Sequence, residues 1–349
     1  MEKREFGKTA DGREAGLYIL KNEKGMVLKV TDLGAAIVSL QVPDREGKFR
    51  DVVLGYDTPQ EYLDNTCYFG AVIGRNGNRI DKARFSIGGK TYQMAVNDNE
   101  NNLHSGPDGF DRRIWTLKET DDQKGQLTFA LDSPDGDQGF PGNFRVQVTY
   151  TLTEEGGVRL TYEGEADQDT VANLTNHAYF NLAGHDSGSV EDQELMLEAP
   201  YYTPVRDYQA IPTGEIAPVK GTPMDFTRAK AIGRDIEADF EQLKHVGGYD
   251  HNFVLTGQPG EFRKIAEGCS KASGIVMEVY TDCPGVQFYA GNGISPQKGK
   301  DGAEYGKRQG FCLESQYFPN SINQEGFASP VLKAGEKYHT VTEYRFSAK

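Results

Sequence analysis

Short runs that alternate apolar and polar residues recur from one end of this chain to the other, and each is closed by Gly, Asp, Asn or Pro. Met26-Val27-Leu28-Lys29-Val30, Ala36 to Val42, Phe144 to Tyr150, Gly157 to Tyr162, Gly274 to Tyr280 and Tyr338 to Phe346 all read this way. Val, Ile, Thr, Tyr and Phe dominate them, the residues that fit a pleated, half-buried surface. Ile87-Gly88-Gly89-Lys90 and Glu154-Glu155-Gly156-Gly157 are hairpin signals. Helical patterns are scarce. Thr58-Pro59-Gln60-Glu61-Tyr62-Leu63 predicts a short helix capped by Thr58. Ile232 to Leu243 predicts another, with Ile232, Ile236, Phe240 and Leu243 near one face. Strands and helices do not alternate, which excludes a doubly wound sheet. The expectation is an all-β chain, a large antiparallel β-sandwich with few short helices. No linker, repeat or low-complexity tract breaks it, so residues 1–349 are read as one domain.

The 349 residues include 41 Gly, with Tyr and Phe at 18 each, enough for many turns and many aromatic strands. A net charge of -14 argues against nucleic acid or an anionic membrane as partner. Cys67, Cys269, Cys283 and Cys312 form no CxxC pair and no metal-ligand spacing, so four reduced thiols are expected. The first residues carry no apolar signal-like stretch, and no segment reaches the length of a membrane span. A cytoplasmic protein is the simplest reading.

Glu314 stands out within Gln309 to Asn320. With period two, Phe311 and Leu313 share one face of a strand, and Cys312, Glu314 and Gln316 share the other. A carboxylate in so aromatic a strand is costly unless something pairs or uses it; a strand whose polar face meets water is the plainer alternative. A second segment, Leu174 to Leu182, places His177 between aromatics in the same manner. A carboxylate and an imidazole facing one pocket would make a general base and a general acid. Gly70 to Ile80 carries Arg75, Asn76, Asn78 and Arg79 between glycines. Arg79 suits a fork of hydrogen bonds to vicinal hydroxyls, or a solvated turn. His104 lies in the loop Asn101 to Trp115. Asp250 opens the strand after Gly247-Gly248, as a turn cap or a ligand for substrate. Gln287 alternates with Val286 and Phe288, and its amide suits a ligand or a local network. Nothing fits HxH, HExxH, a dinucleotide fingerprint or a nucleophile elbow, so neither metal nor cofactor is expected.

Six of these segments, in this order, resemble the aldose 1-epimerase (galactose mutarotase) family: Gly70 to Ile80, Asn101 to Trp115, Thr175 to Gly184, Gly248 to Phe253, Gly285 to Asn292 and Gly310 to Asn323. The closing Gly335-Glu336-Lys337-Tyr338-His339-Thr340 also matches. The resemblance implies a large β-sandwich that interconverts the α and β anomers of free hexoses. It implies Glu314 as general base and His177 as general acid. It implies His104, Arg79 and Asp250 as the groups that hold the sugar, with Asn78 and Gln287 lining the pocket. A small aldohexose would be the only partner, on a monomer or homodimer, with no cofactor. Glycoside hydrolysis by Glu314 and Asp250, a non-catalytic sugar-binding module, and a hexose-phosphate epimerase using Arg75 and Arg79 are the competing readings.

Overall fold

The computed structural model describes residues 1–258 and 260–349. The alternating runs form strands because one face of each has an apolar layer to meet. In Phe144–Leu152, Phe144, Val146, Val148, Tyr150 and Leu152 are buried while the residues between them are exposed or half-buried. A nine-stranded antiparallel sheet takes the strands Thr116–Asp121, Gln126–Ser133, Phe144–Leu152, Gly157–Ala166, Lys337–Ala348, Ile275–Thr281, Arg263–Cys269, Glu194–Leu197 and Lys230–Ala231, in that spatial order. The last strand of the chain therefore lies at its centre, between Gly157–Ala166 and Ile275–Thr281. A five-stranded meander occupies the N-terminal part, from Glu2–Lys8 to Phe49–Asp51. A second five-stranded sheet orders Ala217–Pro218, Tyr201–Tyr202, Asp250–Val254, Gly285–Tyr289 and Cys312–Gln316. One apolar cluster draws side chains from Tyr18 to Phe346 and joins these sheets. Tyr344 of the central strand packs its ring at a tilt against Phe180, centroids 4.8 Å apart, and donates from its hydroxyl to the Leu313 carbonyl at 3.2 Å. The large sheet thus braces the strand that carries Glu314.

Both hairpin signals are borne out. Ile87 pairs with Lys90 across Gly88 and Gly89, which have φ of 58° and 81°. The Glu154–Gly157 turn joins Phe144–Leu152 to Gly157–Ala166. The helix at Pro59–Asp64 carries a full capping box, with Thr58 accepting from the Glu61 N–H and the Glu61 carboxylate accepting from the Thr58 N–H.

The helix expected over Ile232 to Leu243 does not form as one piece. Ile232–Arg234 is a single 3-10 turn, and a short helix runs only over Glu241–Val246. The N–H groups of Ile232 and Gly233 donate to the carbonyls of Gln193 and Glu191 at 2.9 and 2.7 Å. A helix would leave those two N–H groups free in any case. What breaks it lies further on, where the N–H groups of Ala238 and Phe240 donate to the Asp235 and Ala238 carbonyls at 2.9 and 2.7 Å, closing tight turns in place of bonds to Arg234 and Ile236. Ile232, Ile236 and Leu243 are buried all the same. The apolar spacing reported burial correctly and conformation incorrectly. Among the described residues, no helix is long and apolar enough to cross a membrane. All four cysteines are free.

Candidate active site

The polar face of the second five-stranded sheet follows from its register. Asn252 pairs with Gln287, and Gln287 with Glu314. Asp250, Tyr289 and Cys312 form the next row. Because side chains alternate, Asp250, Asn252, Gln287, Tyr289, Cys312, Glu314 and Gln316 all project to one side. Phe253, Val286, Phe288 and Leu313 project to the other, into the main core.

Two loop segments close over this polar face. His177 follows the short strand Thr175–Asn176, which pairs with Val72–Ile73. Its N–H donates to the Ala71 carbonyl at 2.9 Å, and its carbonyl accepts from Gly70 at 3.1 Å. Gly70 has φ of 66°, and a Cβ there would lie 2.1 Å from the Ile37 carbonyl oxygen, so only glycine lets the chain pass. His104 follows Asn102–Leu103, which pairs with Arg79–Ile80. The His104 N–H donates to the Asn78 carbonyl at 3.1 Å, and the Asn78 N–H donates to His104 Nδ1 at 3.0 Å. Tyr68, Asn78 and His104 all have left-handed backbone, with φ of 58°, 64° and 54°. Such strain in residues other than glycine gathers where geometry is imposed by the surroundings.

The result is a hollow of about 140 Å³ walled by Thr66, Tyr68, Asn78, Arg79, Leu103, His104, His177, Tyr179, Asp250, Tyr289 and Glu314. Six of the seven residues singled out in the sequence are in that wall. Glu314 is 2 % exposed and His177 5 %. His177 Nε2 lies 3.6 Å from Glu314 Oε2, and among the described residues that oxygen has no hydrogen-bond partner. Gln287 is not in the wall. It stands behind Asp250 and donates to its Oδ1 at 2.7 Å, while its own carbonyl accepts from Gln316 at 3.2 Å. Gln287 thus aims the Asp250 carboxylate. Of the aromatics next to His177 and Gln287 in the chain, Tyr179 and Tyr289 face the hollow, whereas Phe180 and Phe288 belong to the core.

Burial sets the proton affinities. It pushes the Glu314 carboxyl well above the ordinary carboxylate range, Asp250 adding to the push and Arg79 opposing it. It pulls His177 down to about 4 and His104 well below its usual value. Arg79 would also be pulled down by burial, but the Asp250 and Asp98 carboxylates outweigh this and hold it charged. Its Nε donates to Asp98 at 2.7 Å, and Nη1 is 3.9 Å from Asp250.

The hydrogen bonds assign different tautomers to the two histidines. His104 Nδ1 accepts from a backbone N–H, so its proton is on Nε2 and the ring is a neutral, fixed donor. His177 Nδ1 instead meets Cys312 Sγ at 3.5 Å, a contact that tolerates a proton on either atom. Only His177 is therefore free to take up and release a proton at Nε2. The same point bears on metal. His104, His177 and Glu314 bring ligand atoms within 4.8 Å of one another. One nitrogen of His104 is occupied by the Asn78 N–H and the other bears a proton, so this donor set does not fit a divalent cation.

Arg75, which the sequence offered as a second pocket cation, is elsewhere. It is 1 % exposed and stitches the 133–142 loop together, donating to the carbonyls of Ser133, Pro134, Pro141 and Gly142 at 2.8–2.9 Å. Sequence reasoning missed Tyr68, which stacks on His177 at 5.6 Å and meets His104 edge-on at 4.7 Å. It also missed Asp98, whose neighbours Asn97 and Asn99 make it read as a turn residue. Neither carries a chemical signal apart from its place in the fold.

A buried carboxyl and an imidazole facing it across 3.6 Å, at the wall of a small polar hollow, suit acid–base chemistry on a small polyhydroxylated molecule. The comparisons agree with that class. The family model described as aldose 1-epimerase matches residues 16–345. Galactose mutarotase of Homo sapiens is 46% identical over 315 residues, covering 90% of this chain and 89% of that protein. Aldose 1-epimerase of Escherichia coli (strain K12) is 40% identical over 344 residues, with 97% of each covered. Among solved structures, galactose 1-epimerase from Lactobacillus acidophilus superposes with a TM-score of 0.86 at 27% identity, over 99% of this chain and 98% of that one. The chain belongs to the aldose 1-epimerase family.

Proposed function

We propose that this isomerase, which interconverts the α and β anomers of aldoses, acts on free hexoses of the glucose and galactose type. In this reading Glu314 is the base at the C1 hydroxyl and His177 the acid at the ring oxygen. The observation that carries it is the unpartnered Glu314 Oε2, 3.6 Å from His177 Nε2 in a buried hollow. Glu314 takes the O1 proton as the C1–O5 bond breaks, and O5 takes the Nε2 proton of His177. The aldehyde turns about C1–C2, and closure on its other face returns both protons. Nε2–H of His104, Arg79 and Asp250 hold the hydroxyls, with Asn78 beside them and Gln287 steadying Asp250.

The pair works with a single proton. In the empty hollow that proton rests on Glu314, because burial raises the carboxyl and lowers the imidazole. The cyclic sugar reacts with the alternative arrangement, carboxylate and imidazolium, which Arg79 favours by its charge. Both arrangements hold the same number of protons, so pH does not choose between them. The rate kcat/KM should therefore follow a bell. Its acid limb falls near pH 4 as His177 takes a second proton, and its alkaline limb lies above the ordinary carboxylate range as the last proton leaves. A profile that rises steadily through pH 9 would contradict the single-proton scheme.

A phosphorylated sugar fits poorly. Among the described residues Arg79 is the one cation in the wall, and the Asp98 and Asp250 carboxylates beside it already offset its charge. Four free thiols are in keeping with a reducing, cytoplasmic setting, and a monomer or homodimer remains our reading of the assembly. Polarimetry on freshly dissolved α-glucose and α-galactose tests the function. Catalytic amounts should speed the drift of rotation, and nitrophenyl hexosides should release no nitrophenol. Sugar binding without acceleration would leave a binding module, and nitrophenol release a hydrolase.

A further inference from the structure

Two buried imidazoles share this hollow, with ring centroids 5.1 Å apart, and the foregoing reading gives them different work. What separates them lies at Nδ1. In His104 that nitrogen faces a backbone N–H, which fixes a lone pair there. In His177 it faces the sulfur of Cys312, a side chain without solvent exposure at the register position of Tyr289. We propose that Cys312 is a positioning residue for the reaction, its sulfur accepting from His177 Nδ1–H so that Nε2 is the nitrogen that exchanges protons with the sugar.

Exchange at Nε2 needs this arrangement. When His177 gives its Nε2 proton to O5, the ring stays neutral only if Nδ1 keeps a proton. When the ring closes, the Nε2 lone pair must be free to take the proton back. A donor at Nδ1, like the one His104 has, would put the proton on Nε2 and leave no lone pair for the return step. A backbone carbonyl would hold Nδ1–H more firmly and bind the imidazolium more tightly. A thiol sulfur is a weak acceptor, enough to orient the ring with little added basicity. Burial among Leu54, Phe69, Tyr179 and Tyr305 keeps the thiol protonated and inert. The ring plane is set independently by Tyr68 and Tyr179, stacked at 5.6 and 5.1 Å with interplanar angles of 28° and 23°. Sulfur and aromatics together leave one orientation, with Nε2 toward Glu314.

The proposal rests on His177 as the acid, but its first readout does not depend on catalysis. In protein labelled with 15N histidine, the ring nitrogens of His177 are assigned by their loss in His177→Asn. Well above the acid limb, wild type should show the Nδ1–H tautomer for His177 and Nε2–H for His104. Cys312→Ser keeps an acceptor and should retain the wild-type tautomer, with kcat within about threefold. Cys312→Ala should shift His177 toward Nε2–H and lower kcat about tenfold, with KM within about twofold. Wild type in the Nε2–H form, or Cys312→Ala with an unchanged tautomer, would overturn the role of Cys312. Tautomers as expected in a protein that does not speed mutarotation would overturn the catalytic reading instead.

Discussion

Glu314→Gln should slow anomer exchange by about 10²–10⁴-fold and make the protein more stable at neutral pH. The kinetic half follows from geometry. Oε2 is the unpartnered atom of the hollow, and a glutamine amide is too weak a base to take the O1 proton. The amide has nearly the size and shape of the protonated carboxyl, so the cavity keeps its form and KM should change little. The stability half follows from burial. The folded-state pKa of Glu314 lies well above its ordinary value of 4.5, so the folded chain binds that proton more tightly than the unfolded chain. The stability linked to it is complete below the unfolded pKa and is lost as pH rises through the folded one. On the alkaline side the wild type carries a buried carboxylate that glutamine removes. A gain of about 1–3 kcal/mol, roughly 2–4 °C in Tm, is expected there. The gap should narrow as pH falls toward 4.5. Melting curves at both ends of the range, set beside polarimetry, test the two halves separately. A variant that is less stable at alkaline pH would show that the carboxylate is supported by contacts its environment does not display.

Most of the fold was legible because its signal is local. Period-two alternation appears in any strand with one buried face, and Phe144–Leu152 shows it without interruption. The failure at Ile232 to Leu243 is equally physical. A spacing of three and four residues reports which side chains are buried, and a chain that turns along a sheet edge can bury the same ones. Glu314 and His177 were visible because a titratable group between aromatics is locally improbable. Their approach to 3.6 Å was not visible, because 137 positions separate them and it takes the long-range bridge between Phe180 and Phe311 to bring the two segments together. Arg75 and Arg79 illustrate the limit. Four residues apart in one glycine-rich segment, they are alike by composition, yet one is consumed by loop carbonyls and the other faces the hollow. Gln287 was legible as a member of a local network but not as the partner of Asp250, and Asp98, which orients Arg79, became apparent only in three dimensions.

His177→Asn is expected to cost about 10²–10⁴-fold in kcat, with KM altered by less than about fivefold. The groups proposed to grip the sugar, Arg79, Asp250 and His104, are anchored by Asp98, Gln287 and Asn78 rather than by His177. Binding should therefore survive while proton delivery to O5 fails. His104→Asn should show the opposite balance, raising KM more than it lowers kcat, because His104 is a fixed donor throughout the cycle. Glu314→Gln combined with His177→Asn should be little slower than the worse single variant, since each group is useless without the other's half of the proton exchange. The stacking geometry supplies a further check. His177→Ala empties a ring-shaped space between Tyr68 and Tyr179, whose rings lie nearly parallel to the missing imidazole. Added imidazole can occupy that slot and should restore part of the rate in proportion to its concentration, saturating as the slot fills. Rescue would tie the lost activity to a missing proton carrier. Near-wild-type kcat in His177→Asn would remove the imidazole from the reaction and leave His104 as the remaining acid, which its bond from the Asn78 N–H opposes.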